Sequence, residues 1–460
     1  MEKAFNVHLI NYAPILKSAG IRFKEDEKTL MVGKASADVG YVILISSRTL
    51  DAPKLLQTIL PILKKSRAAY RIIKSQQDQY RLNAGAFGDE EAGKVVSIFP
   101  NDIAEAKSLL IQLKLVTEKY KGPSILKSQR VSEVIYIQRI LNKGHNDFKL
   151  IAPDIKNFPF EFPKQYKKRK STLNLIGKAY LPIQLLRTST KGNIYKAINL
   201  KRLKFDWCLI KQGNPVALDD HFDRDMKDRL QWQKEVHEFL RGKVYTPDVI
   251  DHFSSGDYHY LVFNYAEGDS LGNVISDALV GKKWIDLDRP LQQKLLGYFI
   301  QAVELVKSIH EAGIVHRDVT DSNLIVLDDG KLCIIDFELS YSFIKCEPNP
   351  PFLLGTFGYV APEQIQHAVP DPAEDIYSLG ALLCFVMTGC KTSEFIGNNH
   401  QQLKVKLFRL TGEKGLCELV MKCLSYSRSE RPDIEMIIAT VQNQLLKTLT
   451  LNHEKASMAV

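Results

Sequence analysis

The sequence predicts an α+β chain in which a smaller α+β domain precedes a strand-rich lobe and then a larger helical lobe. Three observations predict it. Over the first 150 residues, short apolar runs alternate with amphipathic stretches of helix length. Strand-like segments dominate from about 182 to 265. After Asp269 the apolar residues recur mainly at helical spacing. At roughly 150 residues per domain, the 460 residues hold two to three domains, and 45% hydrophobic with 25% charged residues exclude a mostly disordered chain.

Each element follows from local pattern. Gly40 to Ser46 (GYVILIS) is apolar on both faces and reads as a buried strand. Leu55 to Ser66 has helical spacing, Lys94 to Phe99 reads as a strand, and Asp102 to Lys119 as an amphipathic helix opening after a turn at Pro100 and Asn101. Arg224 to Arg241 is a polar helix inside the strand-rich lobe. Leu291 to Ala312 is one long apolar-periodic helix. Ala373 to Thr388 is so uniformly apolar that it belongs at the centre of a domain.

Charge divides the chain. Residues 1–180 hold 31 basic and 17 acidic residues, the remainder 31 and 36, so a basic N-terminal part precedes a slightly acidic one. The densest run, Lys164 to Lys170 (KQYKKRK), reads as a solvated linker, and with Pro153, Pro159 and Pro163 it sets a boundary near 150–175. The longest apolar stretch, Ala381 to Met387, is far short of the ~20 residues of a membrane span, and the start lacks a signal-peptide pattern. Seven scattered cysteines without a CxxC pair fit reduced thiols. A cytoplasmic protein without nucleic-acid or membrane partners is expected.

The chemistry concentrates in two places. His316-Arg317-Asp318-Val319-Thr320-Asp321-Ser322-Asn323 follows the long helix, and Asp336-Phe337-Glu338 lies behind the apolar strand Leu332 to Ile335. Phosphoryl transfer needs such a set: one carboxylate to orient a hydroxyl and accept its proton, and an amide oxygen with a second carboxylate to hold magnesium against nucleotide phosphates. Further parts stand in order: Cys208-Leu209-Ile210-Lys211 upstream, then Gly355-Thr356-Phe357-Gly358-Tyr359-Val360-Ala361-Pro362-Glu363, Asp375 to Gly380, and Arg431-Pro432. This succession resembles the eukaryotic-type protein kinase signature over roughly 180–445.

That resemblance implies a bilobal eukaryotic-type protein kinase fold using ATP, or GTP in its place, with Mg2+. Lys211 would neutralise the inner phosphates. Its partner would be Glu235 on the next helix, because Phe239, four residues on, would supply the apolar contact beneath it; Glu238 is the fallback. Asp318 would be the catalytic base, Asn323 and Asp336 the magnesium ligands, and Arg317 an organiser of the activation segment. Asn264, Tyr265 and Ala266, after Phe263, would read the adenine edge through their backbone. Gly192 and Ile194 would cover the phosphates, and Glu363 and Arg431 would form a buried structural ion pair. Three departures stand out. Of the phosphate loop's glycines only Gly192 is in place, leaving Ser189, Thr190 and Lys191 as donors; Thr320 occupies a position where many Ser/Thr kinases carry lysine; and Glu338 replaces the usual glycine. Base, metal ligands and Lys211 are intact, so an active enzyme is expected.

The Asp-rich insert in Leu209 to Leu240 and the acidic Glu338 resemble class III lanthipeptide synthetases. In that family a phosphoserine/phosphothreonine lyase domain precedes the kinase, and a LanC-like cyclase follows it. Ala92 to Pro100 and Gly122 to Arg130 are similar to segments of that lyase domain. Its lysine and histidine, however, correspond here to Val42 and Leu44, and a further lysine to Arg71, which stays protonated and cannot serve as a base. Lys94, Lys127 and Arg130 remain to grip phosphate or an acidic leader. The expectation is a degenerate lyase-like domain (1–175, with its basic linker), a kinase N-lobe (176–267), a C-lobe (268–445) and a tail (446–460). About fifteen residues follow the last kinase helix, too few for a cyclase. His400, Cys417 and Cys423 read as core or surface positions, not a zinc set. The expected substrate is a Ser/Thr-containing precursor peptide, with elimination and ring closure left to separate lyase and cyclase proteins. The alternatives are a general Ser/Thr kinase with a docking N-terminal domain, and a weakly active scaffold presenting peptide to a separate lyase.

Overall fold

The computed structural model describes residues 10–34, 40–142, 148–151, 159–160, 175–201, 205–394 and 400–457. The basic run Lys164 to Lys170, with Pro153 and Pro163, lies outside the described residues. The N-terminal part runs α1 (Ala13–Ser18), β1 (Lys24–Glu25), β2 (Thr29–Val32), β3 (Gly40–Ile45), α2 (Ala52–Lys65), β4 (Ala69–Ile73), α3 (Gln76–Asn83), β5 (Val96–Phe99), α4 (Ile103–Thr117), β6 (Gln129–Arg130), β7 (Ile135–Asn142) and β8 (Phe148–Ile151). Its strands form one sheet in the order β1-β2-β4-β5-β3-β7-β6, with β8 on β7.

Strand β3 shows why its sequence is apolar throughout. Ile43 and Ile45 enter the large core with Leu55 and Ile59 of α2 and Leu109 and Leu113 of α4. Val42 and Leu44, on the opposite face, enter a smaller cluster with Ala69, Phe99, Ile125 and Tyr136. Helix α4 starts where the Asp102 side chain accepts from the Glu105 N–H, a standard N-cap. Helix α3 escapes the sequence reading because it is polar (QQDQYRLN), yet Gln76, Gln79 and Asn83 are buried on it.

The strand-rich lobe contains β9 (Tyr180–Thr188), β10 (Asn193–Asn199), β11 (Asp206–Gly213), α5 (Met226–Leu240), β12 (Val249–Ser255) and β13 (Tyr258–Asn264), its five strands ordered β12-β13-β11-β10-β9. The helical lobe follows with β14 (Gly268–Ser270), α6 (Leu271–Ala278), α7 (Arg289–Glu311), β15 (Ile314–Val315), β16 (Leu324–Leu327), β17 (Leu332–Ile334), β18 (Tyr341–Ser342), α8 (Pro362–Ile365), α9 (Ala373–Thr388), α10 (His400–Thr411), α11 (Lys414–Cys423) and α12 (Ile434–Ser457). Helix α9 matches its predicted bounds and is buried at nearly every position. Each large apolar side chain so buried is worth about 1.5–3 kcal/mol. Its Gly380 lets α11 approach, since a Cβ there would lie 2.4 Å from the Cys423 Cβ. Cys417 and Cys423 belong to this core, as expected. No helix among the described residues is long and apolar enough to cross a membrane.

Packing divides the chain into two compact units, one of Val7–Leu230 with Asp251–Val262, the other of Gln231–Ile250 with Phe263–Val460. The division falls inside the strand-rich lobe and within α5. The N-terminal domain and most of the five-stranded sheet thus share one unit.

Candidate active site

In the second unit, the carboxylate of Asp375 fixes the loop after α7. It accepts from the backbone N–H of His316 (2.8 Å) and of Arg317 (2.7 Å), and lies 2.8 Å from His310 Nε2. Burial pushes this carboxyl up, but the bond and charge of His310 and the His316 N–H outweigh it and hold the group below its ordinary value. Arg317 (φ +67°) and Asp336 (φ +68°) both sit in the left-handed region, a strain that the surrounding contacts must hold.

Asp318 Oδ1 accepts from the N–H (3.1 Å) and hydroxyl (2.8 Å) of Thr356, and Oδ2 from the amide of Asn323 (3.0 Å). Asn323 also donates to the Asp318 carbonyl at 2.9 Å. With its NH2 so engaged, Asn323 is left with a carbonyl oxygen to offer, the hard ligand a magnesium ion takes. Among the described residues no three acidic, His or Cys side chains gather for a metal. By donor chemistry alone, the Asn323 amide oxygen and the Asp336 carboxylate are the hard oxygen ligands that suit a magnesium ion.

Arg317 is buried. It donates to Glu374 Oε2 (2.8 Å) and to the carbonyls of Leu339 (3.1 Å) and Phe352 (2.7 Å), so it ties together both ends of the segment after Asp336. Burial pushes the Glu374 carboxyl up to about 7, against the pull of Arg317. The Phe337 ring lies between His316 (4.7 Å) and His237 of α5 (5.0 Å). Thr320 is fully buried and bonded to Ser322 (3.0 Å), so it does not replace a phosphate-touching lysine. Glu363 and Arg431 form the expected buried pair, doubly bonded at 2.5 and 2.8 Å.

One expectation is corrected. Glu235 is exposed and accepts from Gln231 at 2.6 Å; Glu238 and Phe239 are exposed as well. The buried face of α5 carries Leu230, Gln233, Val236, His237 and Leu240. Residue 235 lies about 200° around the helix from 233. The inward polar residue is Gln233, which donates to Asp336 Oδ1 at 3.3 Å. Beside it, Trp232 donates to the Ser340 carbonyl at 2.9 Å. Sequence reasoning missed Gln233, Trp232, His237, Glu374 and the role of Thr356.

In the first unit, Lys211 on β11 stands opposite Ile194 on β10. Gly192 has φ +146°, and a Cβ there would lie 1.7 Å from the Gln212 carbonyl, so strand contact demands this glycine. Ser189 and Thr190 are buried. Ser189 bonds the Gly192 carbonyl (N–H at 3.0 Å, hydroxyl at 3.2 Å), and Asn214 clamps the loop through Thr190 (3.1 Å) and Lys191 (2.8 Å). Elsewhere, the Asn264 N–H is committed to the Asp248 carbonyl at 3.0 Å, while Tyr265 and Ala266 follow on a half-buried segment.

The Asp-rich insert meets the N-terminal sheet domain. Asp219 is buried, accepting from the Thr49 N–H and from Asn83 (3.1 Å). Asp223 pairs with Arg48, and Arg229 donates to Tyr80 at 3.4 Å. Burial pushes the Asp219 carboxyl up to about 6, against these donors. The residues expected to grip phosphate face carboxylates: Lys94 meets Glu91 (2.7 Å), Lys127 meets Glu90, and Arg130 meets Glu133 (2.7 Å); Arg71 also meets Glu91 (3.4 Å).

Comparison with known proteins matches two domain families along the chain. The protein kinase domain family matches residues 218–441 and the RamC N-terminal domain family residues 19–138. The chain is 23% identical over 387 residues to the probable SapB synthase of Streptomyces coelicolor, covering 77% of this chain and 40% of that protein. It is 28% identical over 242 residues to the probable serine/threonine-protein kinase PkwA of Thermomonospora curvata, covering 49% and 30%. With the serine/threonine-protein kinase PknL of Mycobacterium tuberculosis it shares 31% over 187 residues, covering 39% and 44%. The chain thus spans less than half the length of each. The kinase match begins after Lys211, leaving Gly192, Ile194 and Lys211 outside it.

Proposed function

We propose, from the premise that this chain is a protein serine/threonine kinase joined to a RamC-type N-terminal domain, that it phosphorylates Ser and Thr residues of a precursor peptide in lanthipeptide-type biosynthesis. Asp318 orients the peptide hydroxyl and accepts its proton, and Arg317 holds the activation segment around it. Asn323 and Asp336 hold Mg2+, and Lys211 meets the inner phosphates of ATP, or GTP in its place. Tyr265 and Ala266 face the base. When bound, Mg·ATP supplies the phosphoryl group and the charge neutralisation. The observation that carries the reading is Asp318 held on both oxygens by Asn323 and Thr356, the loop beneath pinned by Asp375.

The N-terminal domain acts in binding, not elimination. Val42 and Leu44 are buried with Phe99 and Ile125 and carry no group that could take or give a proton, and the nearby lysines face glutamates. A separate lyase then eliminates the phosphate, and a separate cyclase closes the rings. Incubating the full chain with Mg·ATP and Ser/Thr-rich peptides, read by mass spectrometry, tests this. Phosphate addition without dehydration is expected; dehydrated peptide from the chain alone would refute the non-catalytic N-terminal domain.

A further inference from the structure

Helix α5 grips the turn after β17 at successive points. Trp232 bonds the Ser340 carbonyl (2.9 Å) and hydroxyl (3.1 Å), Gln233 donates to Asp336 Oδ1 (3.3 Å), and the His237 ring packs edge-on against Phe337 (5.0 Å). Gln233 is almost completely buried, and His237, one turn on, shares its face. The glutamates that could have met a lysine, Glu235 and Glu238, lie on the exposed side. A carboxylate in place of the Gln233 amide would set two like charges side by side. The amide instead donates to one oxygen of Asp336.

Resting on the kinase reading above, we propose that Gln233 is a positioning residue: its neutral side-chain amide, carried by the buried face of α5, aims the Asp336 carboxylate at the cation. Helix α5 then acts on the metal site through a hydrogen bond and not through a charge.

The test uses the full chain with Gln233→Met, which keeps length and packing but removes the donor; Gln233→Asn, which draws the amide back by one methylene; and Glu235→Gln. Two readouts are taken. One is the magnesium concentration giving half-maximal phosphoryl transfer. The other is the melting shift caused by ADP with magnesium relative to ADP with chelator. Both Gln233 variants should need roughly 3- to 10-fold more magnesium, the size expected for one ordinary net hydrogen bond, as suits a bond as long as 3.3 Å, and show a smaller magnesium-dependent melting shift. Their KM for ATP at saturating magnesium should stay parental. Glu235→Gln should match the parent throughout. Should Gln233→Met fold poorly, Gln233→Asn decides alone. Parental magnesium curves in the Gln233 variants, or a magnesium defect in Glu235→Gln, would overturn the assignment. A parent that transfers no phosphate would instead sink the kinase reading, and the melting readout separates the two failures.

Discussion

Replacing Asp375 with alanine should unfasten the catalytic loop. The side chain is fully buried and accepts from two buried backbone N–H groups at 2.7 and 2.8 Å, with His310 at 2.8 Å. Each donor left unsatisfied costs about 1–3 kcal/mol, so alanine should destabilise the helical lobe by about 3–5 kcal/mol. At roughly 2–4 °C per kcal/mol for a unit of this size, melting should fall by roughly 6–20 °C. Asparagine keeps one acceptor but sets an NH2 against a donor, so it too should lose several degrees. The pH dependence has a definite sign. A carboxyl held below its ordinary value contributes stability that is present above about 3.9 and lost as pH falls through its lower folded value. Parent and variant should therefore differ fully at neutral pH and converge only in acid. Differential scanning calorimetry of the full chain measures this. A shift under about 2 °C at pH 7 would refute the reasoning, because two orphaned amides cannot cost so little.

Arg431→Ala removes both short bonds of the buried Glu363 carboxylate, leaving it only Arg428 at 3.6 Å, and should cost about 3 kcal/mol, read as a melting shift of the helical lobe. Asp219, raised to about 6, carries the opposite sign from Asp375: its contribution is full below about 3.9 and is lost as pH rises through 6, so Asp219→Asn should flatten the melting profile between pH 4 and 6. Phosphatase treatment, or Tyr341→Phe, should leave phosphoryl transfer within about twofold, a change of roughly 0.4 kcal/mol, because Ser340, Tyr341 and Ser342 are buried and Arg317 is already engaged by Glu374, Leu339 and Phe352; a large fall in activity would contradict this.

The parts that the sequence makes legible are those whose identity and spacing lie within one segment. Asp318 and Asn323 are five residues apart on one loop, and their contact follows from that loop alone. Helix α9 is legible because burial on all sides requires apolar residues on all sides. Asp102 caps α4 through a contact three residues away. What escapes depends on partners distant in sequence. Nothing local distinguishes Gln233 from Glu235 as the inward residue, and an expected ion pair favours the charged one. Leu230, Leu240 and His237 share a face with 233 and not with 235, which was the available signal. Thr356 stands in a recognisable run, but its bond to Asp318 spans 38 residues. Asp219 meets Asn83 across 136 residues, so an acidic insert reads as solvated until the fold buries it.

The most direct test is transfer of labelled γ-phosphate from Mg·ATP to a Ser/Thr peptide by the full chain, compared with Asp318→Asn. Loss of a positioned general base should lower the rate by about 10²- to 10⁴-fold while nucleotide binding persists. Equal rates for parent and variant would contradict the assignment of Asp318 and the chemistry built on it.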